Sequence, residues 1–393
     1  MRPLKPNIFY VGAVDWDRRM FDELIPLPDG TTYNAYLIKG SNKVALLDTV
    51  DPSKVDTLMG NLVSLGVDHI DYIISHHAEQ DHSGSIPDLL VLYPQAKVVT
   101  NPKCRDMLMD LLHIEPDKFE TIEDGQTLSL GDKTLKFIYT PWVHWPETMC
   151  SYLVEDRILF SCDFFGSHLA TSNLFVDDEE RTVEDAKRYY AEIMMPFRSQ
   201  IQKNLDKLAP LAIDMIAPSH GPVYPRPALI VEAYRDWIGD RVKNEVVVAY
   251  VSMHDSTRLM VEHLVHELTD KGLKVIQFNL AGADIGKLAI SMVDAATIVI
   301  GAPTVLVGPH PVAANAAVLV NALRPKTRFV GVIGSYGWAG KMVDQFKTLL
   351  GNLKAEFLEP VLAKGLPRDE DYHKLDALAE RIHQSHQQMK LTQ

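Results

Sequence analysis

The rhythm of hydrophobic and polar positions changes near residue 244. Before it, short apolar or alternating runs are separated by turn residues. Tyr33 to Ile38 and Val44 to Asp48 flank Lys39-Gly40-Ser41-Asn42, and Ile70 to Ser75 and Lys97 to Thr100 are further runs of strand length. Ile86 to Tyr93, between the last two, predicts a helix. Thr127 to Leu130 and Leu135 to Tyr139 predict a hairpin around Gly131-Asp132. Ser151 to Val154 and Ile158 to Ser161 repeat the pattern around Glu155-Asp156-Arg157, and amphipathic stretches follow over Val183 to Met194 and Gln200 to Leu208. Hairpins interspersed with helices predict a sandwich of two sheets with helices outside.

After residue 244, strands and helices alternate strictly. The strands are Glu245 to Val251, Lys274 to Phe278, Thr297 to Gly301, Arg328 to Ile333 and Ala355 to Leu358. Thr257 to Lys271 and Gly340 to Leu350 are intervening helices. This alternation predicts a doubly wound parallel sheet. The reading is an α/β chain of two domains, 1–243 and 244–393, with Asp240 to Asn244 as linker. The polar tail after about Arg381 is expected to fray.

Composition narrows the setting. A chain of 393 residues, 46% of them apolar, suits two globular domains. A net charge of -13 disfavours nucleic acid and anionic membranes as partners. No uncharged apolar run is long enough to span a bilayer, and Met1 to Val11 has no signal-peptide core. Cys104, Cys150 and Cys162 are too few and too irregular for a disulfide framework or a thiolate-bound cluster. A reducing cytoplasm is the expected location.

The densest chemistry is His77-Ala78-Glu79-Gln80-Asp81-His82, directly after the run Tyr72-Ile73-Ile74. Two imidazoles and two carboxylates in six residues offer nitrogen and oxygen donors to one point. That donor set suits an iron or manganese pair, or zinc. His144, Asp163 and His220 each follow an apolar run and precede a turn, where a rigid scaffold can present ligands. Any one of these alone reads better as a surface or hydrogen-bonding residue. The four segments together read as a metal site.

These segments resemble the metallo-β-lactamase superfamily, whose hydrolases carry His-x-His-x-Asp-His. Here Glu79 stands where the second His would be. With that substitution the chain resembles the flavodiiron proteins, and Gly30-Thr31-Thr32-Tyr33-Asn34-Ala35-Tyr36-Leu37, Trp142 to Met149 and Asp163-Phe164-Phe165-Gly166-Ser167-His168 agree. The resemblance implies a metallo-β-lactamase-like αββα sandwich followed by a flavodoxin-like domain. It implies two non-haem irons per chain, one held by His77, Glu79 and His144, the other by Asp81, His82 and His220, with Asp163 bridging. His168 is implied beside the metals, orienting a ligand or water, with an ordinary structural hydrogen bond as the alternative. Asp48 would be a supporting carboxylate or simply a cap.

The second domain carries a candidate anion site. Ser252-Met253-His254-Asp255-Ser256-Thr257 joins the first strand to a helix N-terminus, where hydroxyls and N–H groups collect. An N-cap is the plain alternative. The resemblance makes it the FMN phosphate loop, contributing Ser252, Met253, His254, Ser256 and Thr257; Asp255 must then point to solvent. Pro303, Thr304 and Val305 after the third strand, and Ser335, Tyr336, Gly337, Trp338 and Gly340 after the fourth, are expected against the flavin ring. Val305-Leu306-Val307-Gly308 departs from the family, which often has an Asn-containing segment there, so backbone groups would have to serve.

The implied activity is reduction of O2 to water or NO to N2O, with electrons passing through FMN to the irons. The implied donor is a separate rubredoxin, or a reduced deazaflavin cofactor. A head-to-tail homodimer or dimer of dimers is implied, with the Trp145 and Trp338 loops at the junction. A zinc hydrolase with an appended flavodoxin-like domain is the alternative, opposed by Glu79. An electron-carrying flavoprotein with a structural metal is a third reading.

Overall fold

The computed structural model describes residues 2–338 and 340–392. Ala339, inside the expected flavin loop, lies outside them. The chain forms two compact units, Met1–Tyr189 with Phe197–Ile238, and Tyr190–Pro196 with Gly239–Gln393. No helix among the described residues is long and apolar enough to cross a membrane.

The first unit is built on two sheets. One runs in the spatial order Arg2–Lys5, Ile8–Tyr10, Tyr36–Lys39, Val44–Leu47, Tyr72–Ile74, Lys97–Thr100, Phe119–Thr121. The other runs Thr127–Ser129, Thr134–Tyr139, Met149–Leu153, Ile158–Cys162, Met215–Pro218. Alternation along each strand separates two cores. Ala45 and Leu47 face the second sheet with Phe137, Met149 and Phe160. Val44 and Leu46 face the helices Val55–Ser64, Ile86–Leu92 and Pro102–Leu112 through Leu58, Leu89 and Leu108. The expected hairpin around Gly131-Asp132 forms, with Ser129 opposite Thr134 and Gly131 at φ +104°. The amphipathic stretch expected over Val183 to Met194 is instead a helix Glu179–Tyr189, which then widens into a π turn at Tyr190–Met194.

The second unit has a sheet in the order Lys274–Asn279, Lys243–Tyr250, Ala295–Val305, Phe329–Tyr336, all parallel. The expected fifth strand is only Glu356–Phe357, and a separate strand, Val361–Lys364, pairs with the far end of Phe329–Tyr336. Strand order reverses beside the first strand of this unit, so its C-terminal edge opens a crevice.

The tail does not fray. Asp369–Gln388 is one helix with Leu375, Leu378, Ala379 and Ile382 in the core, and His386 is fully buried. Its polar look misled because the buried positions are spaced by helical turns among charged ones. His386 Nδ1 donates to Asn244 Oδ1 at 2.8 Å, and its Nε2 meets the Thr297 hydroxyl at 2.8 Å. Burial, with His383 nearby, depresses its pKa from 6.5 to about 4. The unfolded chain therefore takes up a proton first on acidification, and stability present above about pH 6.5 is lost towards pH 4. His386→Ala should cost about 1–3 kcal/mol in urea unfolding at neutral pH, because the buried Thr297 hydroxyl and the half-buried Asn244 amide lose their partner. It should also remove part of the acid sensitivity in that window; an unchanged pH dependence would refute the assignment.

Candidate metal centre

Four chain segments reach the same edge of the first unit from the ends of strands. His77 follows Tyr72–Ile74, and the single helical turn Gln80–Ser83 carries Asp81 and His82 back over it, with Glu79 in extended geometry at its start. Asp163 follows Ile158–Cys162 and His220 follows Met215–Pro218, neighbouring parallel strands of the second sheet. His144 sits in the loop between Thr134–Tyr139 and Met149–Leu153. Gly221 is needed beside His220: its φ is +79°, and a Cβ would lie 2.1 Å from Ser167 Oγ.

Donor atoms of these residues fall into two groups. His77, Glu79, His144 and Asp163 present atoms all within 4.8 Å of one another, and so do Asp81, His82 and His220. Asp163 faces both. Its Oδ2 lies 3.5 Å from His77 Nε2 and 3.6 Å from His144 Nε2, while its Oδ1 lies 2.9 Å from His82 Nε2 and 3.5 Å from His220 Nε2. Glu79 Oε2 meets the Nε2 atoms of His77 and His144 at 3.0 and 3.1 Å. His220 Nε2 stands 3.1 Å from Asp81 Oδ2, yet neither atom has a well-aligned hydrogen bond, and Asp163 Oδ2 has none either. The Asp81 oxygens, Asp163 Oδ2 and His220 Nε2 are buried donor-set atoms without a hydrogen bond, which a cation between them would satisfy. The residues present therefore fit a pair of metal ions.

Electrostatics point the same way. Burial opposes a charge on His77, but Glu147, Glu79 and Asp163 outweigh it and hold its pKa well above the ordinary value. His82 is likewise pushed up to about 10, against burial, by Asp81 and Asp163. Asp163 and Glu79 are held well below the carboxylate range despite burial, Asp163 by His82 and Glu79 by His144 and His77. Protons favoured on His77 and His82 thus balance the carboxylates, and a cation would take their place.

The surroundings fix the rings. His77 Nδ1 hydrogen-bonds Glu147 Oε1 at 2.7 Å, and His220 Nδ1 donates to the Thr32 carbonyl at 2.6 Å. Each bond leaves Nε2 facing the cluster. Glu147 is buried and also accepts from Ala78 N–H. Neither Glu147 nor Thr32 stands out in the sequence, because their partners His77 and His220 are 70 and 188 residues away and leave no spacing signal. His168 lies against the second group, 4.8 Å ring to ring from His220 and from Tyr189. Its Nδ1 meets Thr31 Oγ1 at 2.9 Å, its Nε2 has no hydrogen-bond partner, and burial with the neighbouring His220 keeps its pKa well below normal. Asp48 touches no donor of the cluster; it binds His76 through Nδ1 and the backbone N–H.

In the second unit, ten of the thirteen expected flavin residues line one cleft: Ser252, Met253, His254, Ser256, Thr257, Pro303, Thr304, Ser335, Tyr336 and Gly337, joined by Gly365. The structure does not bring the other three into its wall. Val305 pairs with Gly308 in a short hairpin, Trp338 is 77% exposed, and Gly340 lies near Thr304. Asp255 turns away to Arg258, Oδ1 to Nε 2.8 Å. A Cβ on Gly337 or Gly365 would meet nothing, so the cleft has open space beside backbone, as a flat ring requires.

Comparison with known proteins agrees with this geometry. The model of the ODP family beta lactamase matches residues 31–221. A nitric oxide reductase of Moorella thermoacetica is 36% identical over 389 residues, covering 96% of each chain. The solved structure of rubredoxin oxygen:oxidoreductase from Desulfovibrio gigas is 30% identical, with a TM-score of 0.94 over 97% of both chains. That of the flavodiiron protein from Giardia intestinalis is 26% identical, with a TM-score of 0.89 over 98% of this chain and 96% of the other. With its two-group donor cluster, its cleft at the reversal of the parallel sheet, and this likeness along almost its whole length, the chain belongs to the flavodiiron family.

Proposed function

We propose that the protein is an oxidoreductase that reduces O2 to water, NO to N2O, or both, with electrons passed through FMN to a non-haem diiron site. The observation that carries this reading is the placement of the two Asp163 oxygens, one towards each donor group. His77, Glu79 and His144 would hold one iron, Asp81, His82 and His220 the other, and Asp163 would bridge. Bound there, the irons supply a redox pair that takes up a diatomic gas, and FMN supplies the electron store that avoids release of partly reduced oxygen.

The chain's own residues set the conditions. Glu79, Asp81 and Asp163 offset metal charge, and a carboxylate at position 79, where the hydrolases have histidine, favours ferric iron over zinc chemistry. Glu147 and Thr32 hold His77 and His220 in the tautomer whose Nε2 can ligate. Neutral His168 keeps Nε2 available to orient a ligand or water. In the second unit, Ser252 to Thr257 would take the FMN phosphate. Pro303, Thr304 and Ser335 to Gly337 would flank the ring.

Large apolar side chains stand exposed beside both sites. Leu24 and Trp142 do so near the metal ligands, and Met253, Leu306 and Trp338 near the cleft. They support a head-to-tail homodimer or dimer of dimers, in which one subunit's flavin serves the other's metals. Val305, Trp338 and Gly340 then belong to the rim of the cleft.

The direct test measures O2 and NO consumption with reduced rubredoxin and with a reduced deazaflavin as donors. Turnover of about 1 s⁻¹ or faster with at least one gas is expected; hydrolysis of a thioester or lactam with no gas consumption would favour the zinc alternative. Glu147→Gln should weaken metal binding about 10- to 100-fold in chelator competition, through loss of the charge that orients His77; unchanged affinity would remove Glu147 from the account. Replacing Leu306 and Trp338 together by Glu should give a monomer in sedimentation that retains flavin and metal but turns over about tenfold more slowly or worse. A fully active monomer would contradict the proposed dimer.

A further inference from the structure

The second unit holds a donor cluster that the flavin reading does not use. Its first helix, Ser256–Asp270, packs against the C-terminal helix Asp369–Gln388. Leu264 and Leu268 of the one share a core with Leu375 and Ala379 of the other. Along this seam stand His263 and Glu267, one helical turn apart, and Asp376 on the facing helix. Each is half-buried, and their donor atoms all lie within 4.8 Å of one another. His263 Nε2 reaches Asp376 Oδ1 at 2.6 Å. The ring of Tyr372, one turn before Asp376, lies 4.8 Å from that of His263, centroid to centroid, and restricts its rotation.

An interhelical ion pair needs only His263 and Asp376. Glu267 brings a second carboxylate to the same point, and among the described residues it makes no salt bridge. Lys271, one turn further along the helix, is drawn to Glu380 at 3.0 Å and adds only its field at Glu267 and Asp376. Two carboxylates converging on one imidazole repel each other and leave the point short of positive charge. A tetrahedral metal ion with bonds of about 2.0–2.1 Å holds its ligand atoms roughly 3.3–3.5 Å apart. Glu267 can close the remaining gap by side-chain rotation, because it is long and half-exposed while its helix fixes its base.

We propose that His263, Glu267 and Asp376 bind a divalent transition-metal ion of the zinc type, at a site separate from the donor cluster of the first unit. One imidazole with two carboxylates suits that class of ion. The imidazole disfavours magnesium and calcium, which take oxygen ligands. Three protein ligands leave a position for water. The bound ion staples the two helices together. Ser256 and Thr257, at the start of the first helix, line the cleft of this unit, so the staple steadies the helix that supplies one wall of that cleft. The site takes no part in gas chemistry.

The test titrates zinc into the full-length protein, carrying the metals and flavin with which it is isolated, in competition with a chromophoric chelator. Any metal displaced into solution is measured alongside. One equivalent of zinc should bind with no metal released. Glu267→Gln removes a ligand that makes no salt bridge, so the helix pair is preserved, and it should weaken this equivalent about 10- to 100-fold, the loss of one charge-assisted contact. Asp376→Asn should act in the same direction. Saturating zinc should also raise the unfolding temperature of wild type by several degrees and that of Glu267→Gln by less at the same zinc concentration. Consumption of O2 and NO should be the same in wild type and Glu267→Gln. Zinc taken up only in exchange for a displaced metal, or equal zinc affinity in wild type and both variants, would overturn the site.

Discussion

The carboxylate of Asp163 is the constraint on which the rest of the metal centre depends. It is fully buried, and an unpaired buried charge would be prohibitive. Four imidazoles surround it, two towards each oxygen. They arrive from three loops spread between His77 and His220, and the two-sheet scaffold brings those loops to one edge. The second sheet places Asp163 and His220 just beyond the ends of adjacent parallel strands, and the first sheet delivers His77 and the turn with Asp81 and His82. The fold can thus be read as a frame for holding negative charge and nitrogen donors around a space that needs cations.

The layer outside the donors has the opposite character. Glu147, Thr32 and Thr31 contribute hydrogen bonds that remove rotational freedom from His77, His220 and His168. The cluster is then preorganised, and binding a metal costs little rearrangement.

Much of the fold was legible because periodicity and turn chemistry agreed. The hairpin at Gly131-Asp132, the strands Val44–Leu47 and Lys97–Thr100 and the parallel sheet of the second unit follow the sequence pattern. The C-terminal helix was not legible from polarity alone: Ile382 and His386 are buried, but the residues between them are polar. The break of the Glu179–Tyr189 helix into a π turn also leaves no mark in the sequence. At the site, the donor residues stood out as His and carboxylate at strand ends. Their supports did not, because Glu147 or Thr32 becomes meaningful only when distant segments meet. Asp255 illustrates the same limit: whether it opposes an anion depends on its direction, and Arg258 draws it aside.

The central claim is that Asp163 joins two metal sites into one centre. Mössbauer spectroscopy of the wild-type protein loaded with isotopically enriched iron tests it most directly. The account predicts a pair of magnetically coupled irons in each chain, diamagnetic or nearly so when both are ferric. Two independent iron signals without coupling, or a site that retains zinc and excludes iron, would contradict it.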